Sequence, residues 1–549
     1  MKKLLIALGV LMIVGGVGYT FRVPLALSAV GLMMDMRYGE IGPTQQLDWS
    51  APANAPALPK DQRPPNVVLI LADDLGWNDL TFNGGGVAGG TVPTPHIDSI
   101  AAEGANFVNG YAANGTCAPS RAALMSGRYG TRFGFEFTPT PPGMSALGTM
   151  QPKDPNRMHR PIAHDVETVE YEDMGMPSSE VTIAEVLKAR GYFTAHIGKW
   201  HLGRANGMAP EDQGFDKSLL MASGLYLPED SPDVVNSKQP FDNIDKFLWA
   251  SMKFAAQFNG GPVFEPGGFL TDYYTDAAVE VIERNKDRPF FLYLAHWAPH
   301  TPLQAPKADY EALSHIELHR ERVYAAMIRN LDHNVGRVLQ ALKDNGLDDN
   351  TLVIFTSDNG GAGYIGLPDV NEPFRGWKIS SFEGGIHVPY FAKWPGKIPA
   401  GKVVSDPVHH FDIYATAAAA AGAQMPSDRK VDGVDLVPHA RGEAVAKPHE
   451  KLFWRSGSSQ SVLVGGWKLN VSTLNDKVWL FDLANDPGEQ NNLAEAEPEK
   501  LAELQAALAA HNAEQAEPRW QAQLSMPINL DRDLSQPDQA GDEFIYWSN

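Results

Sequence analysis

The chain contains a single cysteine, Cys117, in 549 residues. One thiol cannot form a disulfide within the chain, so a fold held together by disulfides is excluded. Blocks of basic residues are also lacking: Lys and Arg number 45 against 66 Asp and Glu, and the net charge is −21. Nucleic acid is therefore not expected as a partner, because phosphate binding needs clustered cations. An anionic substrate would need a pocket that reverses the sign of this field locally.

One long apolar run stands at the N-terminus, where two lysines precede Leu4 to Phe21. Its length is near the lower limit of about 18 residues for crossing a bilayer. Residues 1–34 are therefore predicted to be a secretory signal peptide or an uncleaved membrane anchor, with Ala26-Leu27-Ser28 as a weak cleavage site. Both readings predict an exported protein, periplasmic or anchored and facing the periplasm, and export without disulfides favours a bacterial envelope.

Residues 35–65 are predicted to be a linker, because 49–65 is rich in Pro and Ala, and short apolar runs then alternate with helical patterns. The runs typical of buried parallel strands are Asn66–Leu71, Tyr192–Ile197, Phe290–Leu294 and Leu352–Thr356. This alternation predicts an α/β fold with a large, mostly parallel sheet flanked by helices over residues 66–445. Residues 446–549 predict a smaller α+β subdomain with a short antiparallel sheet, and the apolar segment 246–258 predicts one helix.

Each of these four strands is followed by polar residues, and ligands of parallel sheets bind at the carboxyl ends of the strands. The strand ends carry Asp73-Asp74, Lys199 with His201, His300, and Asp358-Asn359. The side chains of Asp73, Asp74, Asp358 and Asn359 offer only oxygen ligands, which suit Ca²⁺ or Mg²⁺ rather than zinc.

Cys117 precedes Pro119 at the predicted start of a helix. The free amides and dipole of a helix N-terminus favour negative charge, so an acidified, nucleophilic thiol is expected there. The alternative reading is a small buried apolar residue.

The segment around this cysteine, CAPSRAALMSGRYGTRFG, resembles the signature of the type I, formylglycine-dependent sulfatases. Further blocks resemble that family in its own order over about residues 66 to 493: LADDLGWND, TPHIDSIAAEG, GKWHLG, PHTPLQAP, TSDNGG, RGWKISSFEGGIHVP and LFDLANDPGEQNNL. The family belongs to the alkaline phosphatase superfamily, which agrees with the α/β prediction.

The resemblance implies that a dedicated maturation enzyme converts Cys117 to Cα-formylglycine (3-oxoalanine). It implies one Ca²⁺, in preference to Mg²⁺, on Asp73, Asp74, Asp358, Asn359 and residue 117, with Arg121 beside them. Lys199, His300 and Lys378 are then expected to bind the sulfate group. The expected reaction is hydrolysis of a sulfate monoester by the hydrated aldehyde. His300 or Lys378 would protonate the leaving alcohol, and His201 would assist elimination of sulfate.

Two other functions stay open on the sequence. One is a phosphonate or phosphate monoester hydrolase of the same superfamily; the other is a catalytically silent exported protein that binds sulfated ligands. The expected partner is a sulfated small molecule or glycan, and the leaving alcohol can be aryl, steroid-like or a sugar. Residues 135–179 and 204–271 match no block of the family and are predicted to form the rim of the pocket.

Overall fold

The computed structural model of the chain describes residues 22–52, 57–140 and 157–549. The predicted signal or anchor segment Leu4–Phe21 lies outside these ranges. Within them, no helix combines the length and the apolar composition that a membrane crossing requires.

The strands, in chain order, are β1 (Asn66–Ala72), β2 (Ala105–Phe107), β3 (Gly110–Tyr111), β4 (Ile162–Ala163), β5 (Phe193–Gly198), β6 (Lys217–Gly224), β7 (Val234–Ser237), β8 (Phe254–Phe258), β9 (Val263–Phe264), β10 (Phe290–Ala295), β11 (Leu303–Pro306), β12 (Thr351–Ser357), β13 (Tyr390–Lys393), β14 (Lys402–Val404), β15 (Val408–His409), β16 (Lys451–Ser456), β17 (Ser459–Val464), β18 (Trp467–Ser472), β19 (Lys477–Asp482), β20 (Leu524–Asn529) and β21 (Phe544–Ser548).

The α-helices, in chain order, are α1 (Arg22–Tyr38), α2 (Val87–Gly90), α3 (Pro95–Ala102), α4 (Cys117–Ser126), α5 (Ile183–Ala189), α6 (Asn243–Ser251), α7 (Leu270–Arg284), α8 (Lys307–Ala312), α9 (His319–Asp344), α10 (Glu383–Ile386), α11 (Asp412–Ala421), α12 (Val437–Arg441) and α13 (Pro498–Asn512).

A large mixed sheet of ten strands has the order β14-β2-β13-β12-β1-β10-β5-β6-β8-β9. Its five central strands, β12, β1, β10, β5 and β6, are parallel to one another, as predicted. Antiparallel pairs lie toward the edges, where β13 joins β12 and β8 joins β6. The parallel centre is buried on both faces because helices cover each side.

Residues of β1 alternate between two cores, which makes the domain a three-layer structure. Val68 and Ile70 face the core that includes α7 and α9, whereas Val67, Leu69 and Leu71 face the core built with α4, α5 and α11. Alternation with a period of two is what a strand requires, so one continuous apolar run supplies both faces of the sheet.

Helix α5 begins at a capping box formed by Thr182 and Glu185. The Thr182 side chain accepts a hydrogen bond from the Glu185 amide at 3.1 Å, and the Glu185 carboxylate accepts one from the Thr182 amide at 2.7 Å.

The prediction of one helix over 246–258 is wrong. Helix α6 ends at Ser251, and Phe254–Phe258 forms β8, because this second half pairs with β6 at the edge of the large sheet.

The C-terminal part contains the predicted short antiparallel sheet, β16-β17-β18-β19, with α13 packed on it through Leu504 and Leu508. A second small sheet joins β20 to β21 and to β4, so part of the predicted rim segment pairs with the C-terminal strands.

Trp49, within the stretch predicted as a linker, is fully buried and its ring centroid lies 5.2 Å from that of Phe258, so this portion packs on the main domain.

Candidate active site

Four neighbouring parallel strands bring the polar strand ends together. In the order β12-β1-β10-β5, Ala72 pairs with Ser357, Leu71 with Ala295, and Ala295 with Gly198. The strands therefore end nearly level, and the residues that follow them meet at one edge of the sheet. This is the edge at which parallel α/β sheets bind ligands.

The turns after these strands use unusual backbone conformations. Gly198 has φ +106°, and a Cβ there would lie 1.9 Å from the Ala295 carbonyl oxygen, so glycine is required. Asp74 and His201 have φ values of 62° and 64°. The backbone at His201 is therefore not extended, although Lys199 and His201 follow the same strand. Left-handed backbone at such residues is typical of functional sites.

Cys117 is the first residue of α4, and all ten residues of this helix are buried. Its Sγ lies 3.5 Å from Asp73 Oδ1 and 3.8 Å from Asp74 Oδ1. Burial, followed by the nearby charge of Asp358, raises the pKa of the thiol above its ordinary value. The expectation of an acidified thiol is thus wrong, because burial and carboxylates outweigh the helix dipole.

The predicted oxygen ligands cluster beside this sulfur. Ligand atoms of Asp73, Asp74, Cys117 and His300 lie within 4.8 Å of one another, an arrangement that could hold a metal ion. Asp358 Oδ1 accepts a hydrogen bond from the Asp74 amide at 3.3 Å, which ties the third predicted carboxylate to the same cluster.

The orientation of Asn359 fits a hard cation. Its Nδ2 donates to Asp74 Oδ1 at 2.8 Å and to the Gly360 carbonyl at 2.9 Å. Its buried Oδ1 has no hydrogen-bond partner, and buried polar atoms are rarely left so. Burial and the charge of Asp358 raise the pKa of Asp73 to about 7. These residues could therefore hold a metal ion, and the oxygen atoms that they offer are ligands of the kind that hard cations prefer.

Three cations surround the carboxylates. Arg121 donates from Nε to Asp358 Oδ2 at 2.8 Å and from Nη2 to Asp73 Oδ2 at 3.2 Å. Lys199 Nζ lies 2.7 Å from Asp73 Oδ2. Lys378 Nζ donates to Asp74 Oδ2 at 2.8 Å. The positive charges of these three side chains therefore balance the carboxylates locally, within a protein whose net charge is −21.

Both predicted histidines are held neutral. The pKa of His300 is lowered by burial and then by Lys378, and its Nδ1 donates to the Thr301 carbonyl at 2.6 Å. The His300 Nε2 lone pair therefore faces Lys378 Nζ at 3.2 Å. The pKa of His201 is lowered by burial and then by Lys199, and its Nδ1 has no hydrogen-bond partner. A neutral imidazole can accept a proton.

Two residues at the site were missed by sequence reasoning. Tyr364 donates its hydroxyl to Asp74 Oδ2 at 2.8 Å and accepts a hydrogen bond from Lys378 Nζ at 2.9 Å. The Trp297 ring stacks on His300 with centroids 3.9 Å apart, and Lys199 Nζ lies 4.7 Å from its centroid. Trp297 follows β10 within the segment AHWAPH, which also contains His300, whereas Tyr364 carries no local signal because it enters through a loop after β12.

A cavity of about 290 Å³ opens above these groups, close to the lower end of typical ligand pockets, about 300–1,000 Å³. Cys117, Lys199, His201, His300 and Lys378 line its floor. Arg121 and the three carboxylates lie beneath this floor and are almost completely buried. The predicted site residues are thus in one place, although no single segment contains them.

Comparisons with known proteins agree with this geometry. Residues 65–423 match the family model described as Sulfatase. N-acetylgalactosamine-6-sulfatase of Mus musculus is 34% identical over 439 residues, covering 78% of this chain and 76% of that protein. Steryl-sulfatase of Mus musculus is 34% identical over 557 aligned residues, covering 84% of each.

Solved structures show the same fold. One described as Ps i-CgsB in complex with k-i-k-neocarrahexaose has a TM-score of 0.69 and 32% identity, covering 83% of this chain and 95% of that chain. Another, PsFucS1 sulfatase from Pseudoalteromonas sp., has a TM-score of 0.62 and 25% identity, covering 90% and 94%. The chain therefore belongs to the sulfatase family of the alkaline phosphatase superfamily and is a sulfuric ester hydrolase.

Proposed function

We propose that this hydrolase acts on sulfate monoesters through a formylglycine formed from Cys117, with one Ca²⁺ bound beside it. The observation that carries the proposal is the position of Cys117: its sulfur lies 3.5 Å from Asp73, at the floor of the cavity that Lys199, His201, His300 and Lys378 also line. A maturation enzyme would oxidise the thiol to the aldehyde using an external electron acceptor. The hydrated aldehyde would supply one hydroxyl to attack sulfur and a second that permits release of sulfate.

The metal proposal rests on Asp73, Asp74, Asp358 and Asn359. These four residues would hold Ca²⁺, in preference to Mg²⁺, beside residue 117, and the unpartnered Asn359 Oδ1 would become a ligand. A bound Ca²⁺ would polarise the sulfate oxygens and favour ionisation of a neighbouring hydroxyl. Arg121 bridges Asp73 and Asp358 and fixes both carboxylates in position.

The remaining side chains would orient the substrate and move protons. Lys199 and Lys378 line the cavity floor, with ammonium groups that contact Asp73 and Asp74, and they would bind the sulfate oxygens there. Burial alone would lower the pKa of Lys378, but Asp74 outweighs it and raises the pKa well above its usual value. Lys378 would therefore carry the proton for the leaving alcohol, and His300 would orient its ammonium through Nε2. His201, whose Nδ1 has no hydrogen-bond partner, would accept a proton as sulfate leaves.

The test of this function is turnover of 4-nitrophenyl sulfate against 4-nitrophenyl phosphate by protein whose residue 117 has been analysed by mass spectrometry. We expect an aldehyde at position 117 and a strong preference for the sulfate ester. Cys117→Ser should abolish multiple turnover, since a single hydroxyl can be sulfated but cannot eliminate sulfate. A preference for the phosphate ester would favour the phosphate or phosphonate hydrolase instead. Absence of turnover by matured protein would favour a silent binder of sulfated ligands.

Removal of the metal gives a second prediction. Dialysis against a Ca²⁺ chelator, verified by elemental analysis, should abolish turnover, and added Ca²⁺ should restore it better than Mg²⁺. Melting temperature should also rise with Ca²⁺ concentration, because an ion that binds only the folded chain stabilises it. Full activity after verified removal would contradict the metal proposal.

We also propose that the protein is exported, as the lysines and apolar run before residue 22 suggest. Periplasmic and membrane fractions of the producing cell would distinguish a released from an anchored protein, and recovery in the cytosol would contradict export.

The substrate is a sulfated small molecule or glycan. The names of the two mouse relatives refer to a sterol and to a sugar, so likeness alone does not choose between them.

A further inference from the structure

The walls of the active-site cavity come from segments outside the catalytic motifs. Helix α1 packs on α6 through Val30 against Phe247 and Leu248. Tyr38, the last residue of α1, donates its hydroxyl to the Ala222 carbonyl at 2.7 Å, and Asp35 pairs with Lys253 at 2.5 Å. Helix α1 is therefore fixed over β6 and α6, and it contributes Met34 to the cavity.

The lining above the catalytic floor is mainly apolar. Its apolar side chains include Met34 from α1, Met221 from β6, Ile244 and Phe247 from α6, Met252 after α6, and Trp297 after β10. These residues come from four parts of the chain and converge on one cavity. Apolar surface removed from water contributes roughly 25 cal/mol per Å², so such a lining favours an apolar occupant.

Polar side chains in the same lining are engaged with the protein itself. Ser223 Oγ accepts a hydrogen bond from the Lys253 amide at 2.8 Å. Arg204 Nη2 donates to the Met221 carbonyl at 2.8 Å and to the Ala222 carbonyl at 3.1 Å. Arg37 and Glu172, which are half-exposed, pair with each other at 3.0 Å. Because these groups already have protein partners, they offer a sugar fewer hydrogen bonds in exchange for those that it would lose to water.

We propose that this site takes sulfate esters of bulky apolar alcohols, with α1 and α6 forming the subsite for the alcohol. The inference rests on the proposed function, since it concerns the leaving group of the same reaction. The sulfate group occupies the charged floor, and the apolar alcohol lies against Met34, Phe247 and Trp297. Specificity then depends on a helix that precedes the sulfatase match, which begins at residue 65. The inference applies to a chain that keeps this helix, Arg22–Tyr38, because removal of residues 1–34 would take Met34 out of the cavity.

A matched pair of substrates tests the inference. Cyclohexylmethyl sulfate and galactose 6-sulfate are both esters of a primary alcohol on a six-membered ring, and they differ mainly in the polarity of that ring. We expect kcat/KM for the apolar ester to be at least about tenfold higher. Turnover of 4-nitrophenyl sulfate by the same preparation reports separately whether the enzyme is a matured sulfatase.

Two substitutions on α1 provide the structural control. Met34→Gln places a polar group in the cavity, whereas Met36→Gln makes the same change at a position that is 71% exposed. Met34→Gln should reduce the ratio of the two kcat/KM values by about tenfold. Met36→Gln should leave the ratio unchanged. The ratio in the unmodified chain tests the apolar subsite even if Met34→Gln impairs folding.

The possible results separate this inference from the proposed function. If 4-nitrophenyl sulfate is hydrolysed but galactose 6-sulfate is preferred, the apolar subsite is overturned and the sulfatase mechanism stands. Equal effects of the two methionine substitutions overturn the role of α1. If protein with a verified aldehyde hydrolyses none of the three esters, the proposed function fails, and the inference fails with it.

Discussion

Lys378 makes three polar contacts within the buried site. Its Nζ contacts the Asp74 carboxylate, His300 Nε2 at 3.2 Å and the Tyr364 hydroxyl at 2.9 Å. Because Asp74 keeps Lys378 protonated and His300 presents a lone pair, the proton for the leaving alcohol should come from Lys378. These contacts favour Lys378 over His300 as the acid, a choice that the sequence left open.

Lys378→Met should therefore slow esters of alkyl alcohols more than 4-nitrophenyl sulfate. An alkyl alcohol needs a proton as it departs, whereas 4-nitrophenolate leaves without one. General acid catalysis contributes about 10²- to 10⁴-fold, so the additional loss for an alkyl sulfate should lie in that range. The measurement is kcat/KM for both esters.

The matched control is Lys188→Met, which removes a half-exposed lysine paired with Asp216 at 2.8 Å. Its effect on both esters should be negligible. Equal losses for both esters in Lys378→Met would show that Lys378 binds sulfate without donating the proton.

At this scale the sequence predicted Asp73, Asp74, Asp358 and Asn359 because they follow buried strands. Tyr364 could not be found in this way, since its contact with Asp74 joins residues 290 positions apart. The pKa of the Cys117 thiol was predicted to be lowered, whereas the structure raises it. The helix N-terminus is visible in sequence, but the carboxylates packed around it are not.

Strand β5 shows how one element positions a side chain of the proposed active site. Two glycines with positive φ mark its ends. Gly191 has φ +90°, and a Cβ added there would have no other atom within 4 Å, whereas a Cβ added at Gly198 would lie 1.9 Å from the Ala295 carbonyl oxygen. Lys199 follows Gly198 directly, so the close approach of the two backbones aims it at Asp73.

Gly191→Ala should cost about 1–2 kcal/mol, the penalty for a left-handed alanine. Gly198→Ala should cost more than this and should also lower kcat/KM, because β5 and β10 must separate and Lys199 moves with them. Denaturant unfolding and turnover of 4-nitrophenyl sulfate measure the two effects. Equal stability and activity of the two variants would contradict this role of Gly198.

Elements with a strong local pattern were predicted well. The central strands and the capping box of α5 have signals within a few residues. The segment 246–258 was not predicted correctly because its composition suits a helix throughout. Its second half forms a strand only because it pairs with β6 in the large sheet.

A buried charge cluster joins the two parts of the molecule. Lys468 of β18 lies 2.6 Å from Glu383 Oε1 and 3.1 Å from Glu489 Oε1, and all three side chains are almost fully buried. Glu489 also accepts a hydrogen bond from the Glu383 amide at 2.6 Å. The C-terminal sheet is therefore connected to the loop that carries α10.

Lys468→Met should destabilise the protein by about 3–5 kcal/mol, because it leaves buried carboxylates without their cation. Lys477→Met, on the neighbouring strand β19 but exposed, should change stability by less than about 0.5 kcal/mol. Thermal or denaturant unfolding measures both. A Lys468→Met protein as stable as the Lys477→Met control would show that the cluster contributes nothing to the joint.

The arrangement of the whole molecule was the least predictable from sequence. Pairing of β4 with β20 and packing of α1 on α6 join segments more than 200 residues apart, and neither has a local pattern. The α/β architecture itself was predicted because alternation of strands and helices is a property of the entire chain.

The burial of α4 bears on the order of events during biosynthesis. Every residue from Cys117 to Ser126 is enclosed in the finished fold, including the Pro-Ser-Arg that follows the cysteine. An enzyme that recognises and oxidises this segment must therefore meet the nascent or unfolded polypeptide. Oxidation of Cys117 would then have to precede folding. A chain that folded first would retain an unmodified thiol that the enzyme could no longer reach.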